Sequence, residues 1–188
     1  RDINSFDSEA IPGTGNVALF TFSPDGLWVA YMASGKLFKI ALSGGAPIEL
    51  CDTSTGPGLS WGEGRIFFSR INGGGLWSIS ENGGEPEMIS TLDPAREETS
   101  HRWPYALPGG THLLITVKTA RIPTFDEAKI GLLELATGKV DILIQGGTVV
   151  DGTGSAPRLA DVAVRDGRIV AIAGPGEITE DAANEIDA

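Results

Sequence analysis

The stretch FTFSPDGLWVAYMASGKLFKIALSGGAPIEL, Phe20 to Leu50, decides the fold because its pattern recurs further along the chain. It aligns without a gap on LSWGEGRIFFSRINGGGLWSISENGGEPEMI, Leu59 to Ile89, at an offset of 39 residues. The alignment superposes Phe22 on Trp61 and one Gly-Gly pair on another. A fixed period of this length is typical of repeat architectures, in which each copy is one small structural unit.

Each copy contains four short apolar or alternating runs, which in the first copy are ALFTFS, LWVAYM, KLFKIAL and PIELC. The segments SPDG, ASG and LSGG separate them, and Pro-Asp-Gly and Gly-Gly favour tight β-turns. A third copy, YALPGGTHLLITV followed by KIGLLELATGKVDILIQGG, has an insertion around Arg121 to Ala128, which is predicted to be a loop. Each copy is therefore predicted to be a four-stranded antiparallel sheet.

Three such sheets packed face to face are predicted to be propeller blades, at about residues 17–52, 58–91 and 103–147. A closed propeller needs at least about four blades, so residues 1–147 are expected to form an incomplete propeller with two open edges. Such edges would recruit missing strands or pair with a second copy as a homo-oligomer. Six large rings are expected in the core between the sheets. They are Phe22, Trp28, Phe38, Trp61, Phe67 and Trp77.

Residues 148–188 follow a different pattern, without a second 39-residue unit. TVVDG, ADVAVRDGRIVAIA and NEIDA are β-type segments, and Asp166-Gly167 indicates a hairpin turn. This part is predicted to be a small antiparallel β-sandwich fragment, which completes an all-β fold class.

The segments FSPDGLWVAY, GKLFKIALSGGAP, LSWGEGRIFFSR, GGLWSISENGGEPEMI and SHRWPYALPGG resemble WD40-like, or TolB-type (PD40), β-propeller repeats of bacteria. The resemblance covers about Ile11 to Gly147 and is strongest to the propeller that follows the kinase domain in some bacterial serine/threonine protein kinases. It implies a bacterial, noncatalytic module that binds a protein or small-molecule ligand at a propeller face. The insertion around residues 121–128 is the best candidate contact.

The segment QGGTVVDGTGSAPRLADVAVRDGRIVAIAG, within residues 145–188, resembles the N-terminal start of amidohydrolases such as the N-acyl-D-amino-acid deacylases. In that family a His-x-His pair follows this segment and supplies the first metal ligands. The chain stops at Ala188, before such a pair. We therefore expect a chimaera or partial chain, joined near Gly146 to Thr148, with no metal, no cofactor and no catalytic residue of its own. A hydrolase, either an amidohydrolase parent or a serine-esterase-like activity of the fragment, is the alternative.

Composition excludes some classes of function. A formal charge of −11 and a pI near 4.5 argue against nucleic-acid binding, which needs clustered Lys and Arg. No window approaches 18 uncharged apolar residues, so no membrane span is expected and the chain is predicted to be soluble as given. The single cysteine, Cys51, excludes an intrachain disulfide and is predicted to be a small buried residue at a strand end.

Three residues invite a serine-hydrolase interpretation. GLSWG, Gly58 to Gly62, matches the G-x-S-x-G pattern, in which the serine stands on a strand-turn-helix elbow. Here Ser60 precedes another strand pattern, so a strand position is predicted. A catalytic triad would need His101 or His112. His112 aligns with Trp28 within a strand and His101 precedes a blade, so both are predicted to be structural.

Two acidic pairs and one glycine run are also predicted to be structural. Glu97-Glu98 and Asp126-Glu127 are expected to lie solvated in loops. A glycosidase pair would have to meet across a cleft, which sequence spacing does not show. Gly73 to Gly75 has no following Lys-Ser/Thr and leads into a strand, so it is not a phosphate loop.

Overall fold

The computed structural model describes residues 10–121, 124–125, 128–149, 156–165, 168–174 and 186–187. In these residues the chain is a succession of β-strands with one 3-10 turn, Pro94–Arg96. The predicted all-β class is confirmed.

The first two repeats form two four-stranded antiparallel sheets, whose strands are ordered as in the sequence. The first sheet contains β1 (Leu19–Phe22), β2 (Trp28–Ala33), β3 (Lys36–Ala41) and β4 (Ile48–Asp52). The second contains β5 (Leu59–Gly62), β6 (Arg65–Phe68), β7 (Trp77–Ser80) and β8 (Glu87–Met88). We call these sheets blade 1 and blade 2.

The third repeat begins a larger sheet, ordered β14-β13-β12-β11-β10-β9. Its strands are β9 (Glu98–Ala106), β10 (His112–Thr119), β11 (Lys129–Glu134), β12 (Val140–Val149), β13 (Arg158–Arg165) and β14 (Arg168–Ala173). Strands β9 to β12 are blade 3. A short strand, β15 (Ile186–Asp187), pairs with β12 in parallel, whereas the sequence pattern predicts an antiparallel arrangement.

Strand β12 passes through the residues at which the two sequence patterns meet. Its start pairs with β11, where Val140 lies opposite Leu133. The same strand then pairs with β13, from Ile142 to Val149, with a register shift between Ile144 and Gly147. The last strand of blade 3 and the first strand of the following segment are therefore one continuous strand.

The blades stack in sequence order, with β5 lying next to both β1 and β9. Two apolar clusters fill the two interfaces, and each large side chain buried there contributes about 1.5–3 kcal/mol. Between blades 1 and 2 lie Ala30, Met32, Leu37, Leu50, Trp61, Ile66, Phe68 and Ile79. Between blades 2 and 3 lie Phe67, Leu76, Leu113, Ile115, Val117, Leu133 and Val140.

The predicted positions between the sheets are confirmed for four of the six rings and wrong for two. Trp61 and Phe67 are buried. Trp28 and Trp77 are half-buried and pack against the cluster between blades 1 and 2. Phe38 is half-buried on the other face of blade 1, where it packs against Tyr31 and its neighbours. Phe22 is 54% exposed, because it lies on the face of blade 1 that points away from blade 2.

None of the helices among the described residues is long and apolar enough to cross a bilayer.

Candidate functional site on strand β9

Strand β9 has polar side chains on both of its faces. The face toward blade 2 contributes a buried chain of hydrogen bonds through His101, which is 1% exposed. The opposite face carries Arg102, which lies opposite Thr116 of β10. Because side chains alternate along a strand, one short segment serves both faces.

The buried chain runs from blade 2 through His101 to Glu98. The Leu76 N–H donates to Ser90 Oγ at 2.9 Å, and Ser90 Oγ lies 2.8 Å from His101 Nδ1. His101 Nε2 lies 3.0 Å from Glu98 Oε2. Since Ser90 Oγ accepts from Leu76, we assign its proton to the bond with Nδ1, so the neutral imidazole donates from Nε2 to the carboxylate.

Glu98 is the end of this chain and is held by several donors. Its side chain is 1% exposed, and Oε2 also accepts from the Asp93 N–H at 2.6 Å. Arg96 Nε lies 3.0 Å from Oε1 as an ion pair. The expectation that Glu98 is solvated in a loop is therefore wrong, because β9 begins at this residue and directs its carboxylate inward.

The neighbouring Glu97 behaves as predicted. It follows the 3-10 turn with φ at 54° and keeps an exposed side chain, which pairs with Arg121. The Arg121 guanidinium lowers the pKa of this carboxyl, mainly through the hydrogen bond.

Ser90, His101 and Glu98 have the composition of a catalytic triad but not its geometry. In a triad the serine bonds Nε2 and the acid bonds Nδ1, and the serine oxygen is open to substrate. Here the two nitrogens are exchanged, and Ser90 is 2% exposed. The chain of bonds fastens blade 3 to blade 2, so the predicted structural role of His101 agrees with its contacts.

The buried imidazole makes stability dependent on pH. Burial lowers the pKa of His101 below 6.5, and Arg96 adds to this while Glu98 opposes it. An unfolded chain therefore binds the proton more readily than the folded one. The stabilisation is fully present above pH 6.5 and is lost as pH falls below that value, by up to about 1.4 kcal/mol per pH unit.

We expect His101→Gln, whose amide can still accept from Ser90 and donate to Glu98, to remove this part of the pH dependence. The charged groups facing His101 are Glu98 on β9 and Arg96 on the preceding turn. Urea unfolding at pH 7.5, 6.5 and 5.5 measures the effect. Parallel pH profiles for the variant and the unaltered protein would contradict the assignment.

Ser60 lies in a strand, as predicted, and its hydroxyl is occupied. It is buried in β5, and its Oγ accepts from the Ala106 N–H at 3.0 Å. The first glycine of GLSWG serves close packing, because a Cβ at Gly58 would lie 2.7 Å from the backbone of Trp103. The G-x-S-x-G match therefore has a structural cause in the blade 2–blade 3 interface.

The remaining sequence candidates lie where their patterns indicate, or outside the described residues. His112 begins β10, with its Nδ1 2.9 Å from Thr111 Oγ1. Gly73 to Gly75 leads into β7, and a Cβ at Gly75 would lie 1.9 Å from the Ser90 carbonyl oxygen. Cys51 is half-buried near the end of β4, and burial raises the pKa of its thiol. Asp126 and Glu127 lie outside the described residues.

The outward face of β9 bears a group of cations and rings that we call the β9 surface cluster. It consists of Arg102, Trp103, Lys118 and Phe125. The Trp103 and Phe125 rings meet edge to face, with centroids 4.9 Å apart. Arg102 Cζ and Lys118 Nζ lie 4.8 and 5.0 Å from the centre of the Phe125 ring. Both separations fall within the range of cation–π attraction.

The backbone at Trp103 is strained, which sets this residue apart in β9. Its φ is 46°, a conformation that bulky residues rarely adopt, and its side chain remains 44% exposed. A hydrogen bond from the Trp103 N–H to the Pro57 carbonyl, at 3.1 Å, holds this conformation. Strain in an exposed aromatic residue is a reason to look for function there.

The sequence predicts only part of the buried hydrogen-bond chain and of the β9 surface cluster. It selected His101 and the insertion that contains Phe125, but not Ser90, Arg102, Trp103 or Lys118. Alternation within SHRWP separates His101 from Arg102, and that pattern could have pointed to the cluster. The sequence spacing does not show that Phe125, in the insertion after β10, contacts Lys118 at the end of that strand.

Among the described residues, no group of three or more His, Cys, Asp or Glu side chains is placed to hold a metal ion. The described residues thus do not fit a metal centre of the amidohydrolase type, and no metal-dependent step is derived from them.

Comparison with known proteins gives a fold but no sequence family. No family profile and no curated protein matches the chain. Solved structures do match: a TolB protein from Acinetobacter baumannii has a TM-score of 0.54 at 13% identity, over 82% of this chain and 42% of its own. The three sheets form a TolB-like β-propeller fold. A TolB protein from Agrobacterium tumefaciens has a TM-score of 0.51 at 13% identity.

The TolB-like blades account for only part of these relatives. The Agrobacterium match covers 68% of this chain and 47% of that protein, so the chain spans less than half of either relative. The predicted TolB-type fold is thus confirmed, as an incomplete propeller.

Proposed function

We propose that this chain is a noncatalytic binding module, which contacts its ligand through the β9 surface cluster. The observation that carries the proposal is the grouping of two cations and two aromatic rings around a strained, exposed Trp103. Loops and strand ends held by a rigid sheet commonly carry binding residues. The insertion that supplies Phe125 is the segment that departs from the repeat.

The chemistry of the cluster favours a ligand that combines a negative charge with an aromatic or apolar group. Arg102 and Lys118 supply positive charge, and the Trp103 ring supplies an exposed apolar surface. The chain as a whole carries −11, which repels anions at long range. At physiological ionic strength charges beyond about 8 Å are largely screened, so the local cations dominate at contact.

The test uses two synthetic peptides of equal length, one alternating Glu with Phe and one alternating Lys with Phe. We expect the acidic peptide to bind more tightly, with a Kd raised at least about tenfold by Lys118→Glu or by Trp103→Ala, equivalent to a loss of about 1.4 kcal/mol. Titration calorimetry measures both affinities. Added salt should weaken binding to the unaltered protein.

The matched control is Ile71→Ala, which changes an exposed apolar residue outside the cluster. Its affinity for the acidic peptide should equal that of the unaltered protein. Equal affinity for both peptides, or equal losses in all three variants, would contradict a specific site at the cluster.

A hydrolase parent is the second candidate, and the antiparallel hairpin β13-β14 within the amidohydrolase-like segment supports it. In this proposal residues 1–147 are a propeller part and residues 148–188 the start of an amidohydrolase domain. The kinase-like resemblance of the repeats would instead make the propeller a sensor. Reading the gene on both sides of the segment separates these parents: a downstream PGFIDxHxH-like stretch supports the hydrolase, and an upstream kinase domain supports the sensor.

A further inference from the structure

We propose that the open face of blade 1 is covered by blade 3 of a second copy of this chain, so that two chains close one propeller. The open face carries two adjacent rings on β1. Phe20 is 59% and Phe22 is 54% exposed, and the rings meet edge to face with centroids 5.9 Å apart. Paired large rings on a sheet face are unusual in contact with water and indicate an interaction surface.

The repeat identifies this surface as a blade interface. Phe22 aligns with Trp61, which is buried against blade 1. In the third repeat the alignment that places His112 on Trp28 places Ala106 on Phe22, and Ala106 packs against the blade 2–blade 3 cluster. Both counterparts of Phe22 therefore contact the preceding blade.

Part of the same face is already covered by the chain itself. Val29, Tyr31 and Ile40 form a cluster there with Ile11 and Val17 of the preceding segment. The rings of β1 lie beside this cluster, since Phe20 pairs with Tyr31 and Phe22 with Val29. Among the described residues, the part of this face that stays exposed lies on β1, the first strand of the sheet.

Blade 3 presents the opposite kind of face, the one that would receive a following blade. Tyr105 on β9 and Ile130 on β11 are 63% and 57% exposed. On β10, Tyr105 lies opposite Leu114 and Ile130 lies opposite Thr116. Leu114 and Thr116 are two residues apart in one strand, so their partners lie on the same face of the sheet. One chain therefore carries both halves of a blade interface, one on blade 1 and the other on blade 3.

A second copy is the occupant that fits these observations. Within the chain, each internal blade interface joins these same two kinds of face. A second copy would bring the matching exposed face to both blade 1 and blade 3. When two different surfaces of identical chains bind each other, the assembly closes into a ring if the rotation between neighbouring chains divides a full turn. Here two copies related by a two-fold axis would close the ring. This inference does not depend on the proposed ligand.

The test is sedimentation velocity of the full chain over a wide concentration range. We expect a dimer that weakens at least tenfold in Phe22→Lys and in Tyr105→Lys. Each substitution places a charge in one half of the interface. Ile71→Lys, an equally exposed change on blade 2, should leave the dimer unaltered. Circular dichroism of each variant, compared with the unaltered chain, verifies that the sheets are retained.

A mixing experiment tests the head-to-tail geometry. Phe22→Lys and Tyr105→Lys chains mixed together retain one unaltered interface, between blade 3 of the first chain and blade 1 of the second. The mixture should therefore form a dimer at concentrations where each variant alone is monomeric. The proposal would be overturned if the unaltered chain is monomeric or if it forms open assemblies larger than a dimer. It would also be overturned if the Tyr105→Lys chain dimerises as strongly as the unaltered chain, or if the mixture of the two variants stays monomeric. The β9 surface cluster lies on this same face of blade 3, because Arg102 and Ile130 both lie opposite Thr116. Peptide binding is therefore measured at low chain concentration, where the chain is monomeric, so that its outcome is separate from that of the sedimentation experiment.

Discussion

Replacing Trp61 by alanine should lower the free energy of unfolding by about 3–5 kcal/mol, since it removes the largest buried side chain from the interface between blades 1 and 2. Trp61 is 7% exposed and packs in the cluster that contains Met32 and Phe68. Its indole N–H also donates to the Glu81 carboxylate at 3.0 Å, which the substitution removes. Urea unfolding followed by far-UV circular dichroism measures the loss.

The repeat supplies the control for this prediction. Phe22→Ala changes the aligned position in blade 1, where the ring is 54% exposed, and should cost less than about 1 kcal/mol. Both variants are measured at low protein concentration, so that association between chains does not contribute. A similar loss at the two positions would show that the exposed face of blade 1 is covered within a single chain.

These two residues show what the repeat could and could not predict. Turn residues and alternation placed the strands of the first two blades, because both depend on local conformation. Whether a strand residue is buried depends on the next blade in the stack. Phe22 and Trp61 have the same local pattern, but only Trp61 has a blade against it.

Less of the candidate site than of the fold could be predicted from the sequence. The repeat predicts a strand position for His112, which begins β10. It places His101 before a blade, which is wrong because β9 already begins at Glu98. Contacts through space were not visible: Ser90 and His101 belong to different blades, and Phe125 reaches Lys118 from an insertion. Two family resemblances meet near residue 147, and the sequence therefore predicts a domain boundary there. In the structure β12 is one continuous strand through this point, which pairs first with β11 and then with β13.

Removing the carboxylate of Glu98 should cost about 2–6 kcal/mol, because two buried donors lose their acceptor at about 1–3 kcal/mol each. In Glu98→Ala the Asp93 N–H and His101 Nε2 lose the acceptor that they share, and Arg96 loses one ion pair but keeps the other, with the Asp93 carboxylate. The matched control is Glu97→Ala, one residue earlier, whose exposed pair with Arg121 should contribute about 1 kcal/mol or less. Urea unfolding at pH 7.5 compares them.

A third variant separates charge from hydrogen bonding. Glu98→Gln keeps an oxygen that can accept from His101 or Asp93 but removes the negative charge that faces Arg96. We expect it to fall between Glu98→Ala and the unaltered protein, because both variants lose the charge but the amide oxygen keeps an acceptor for one of the buried donors. Equal stability of Glu97→Ala and Glu98→Ala would mean that the carboxylate is solvated. In that case blade 3 would be fastened to blade 2 by the apolar cluster alone.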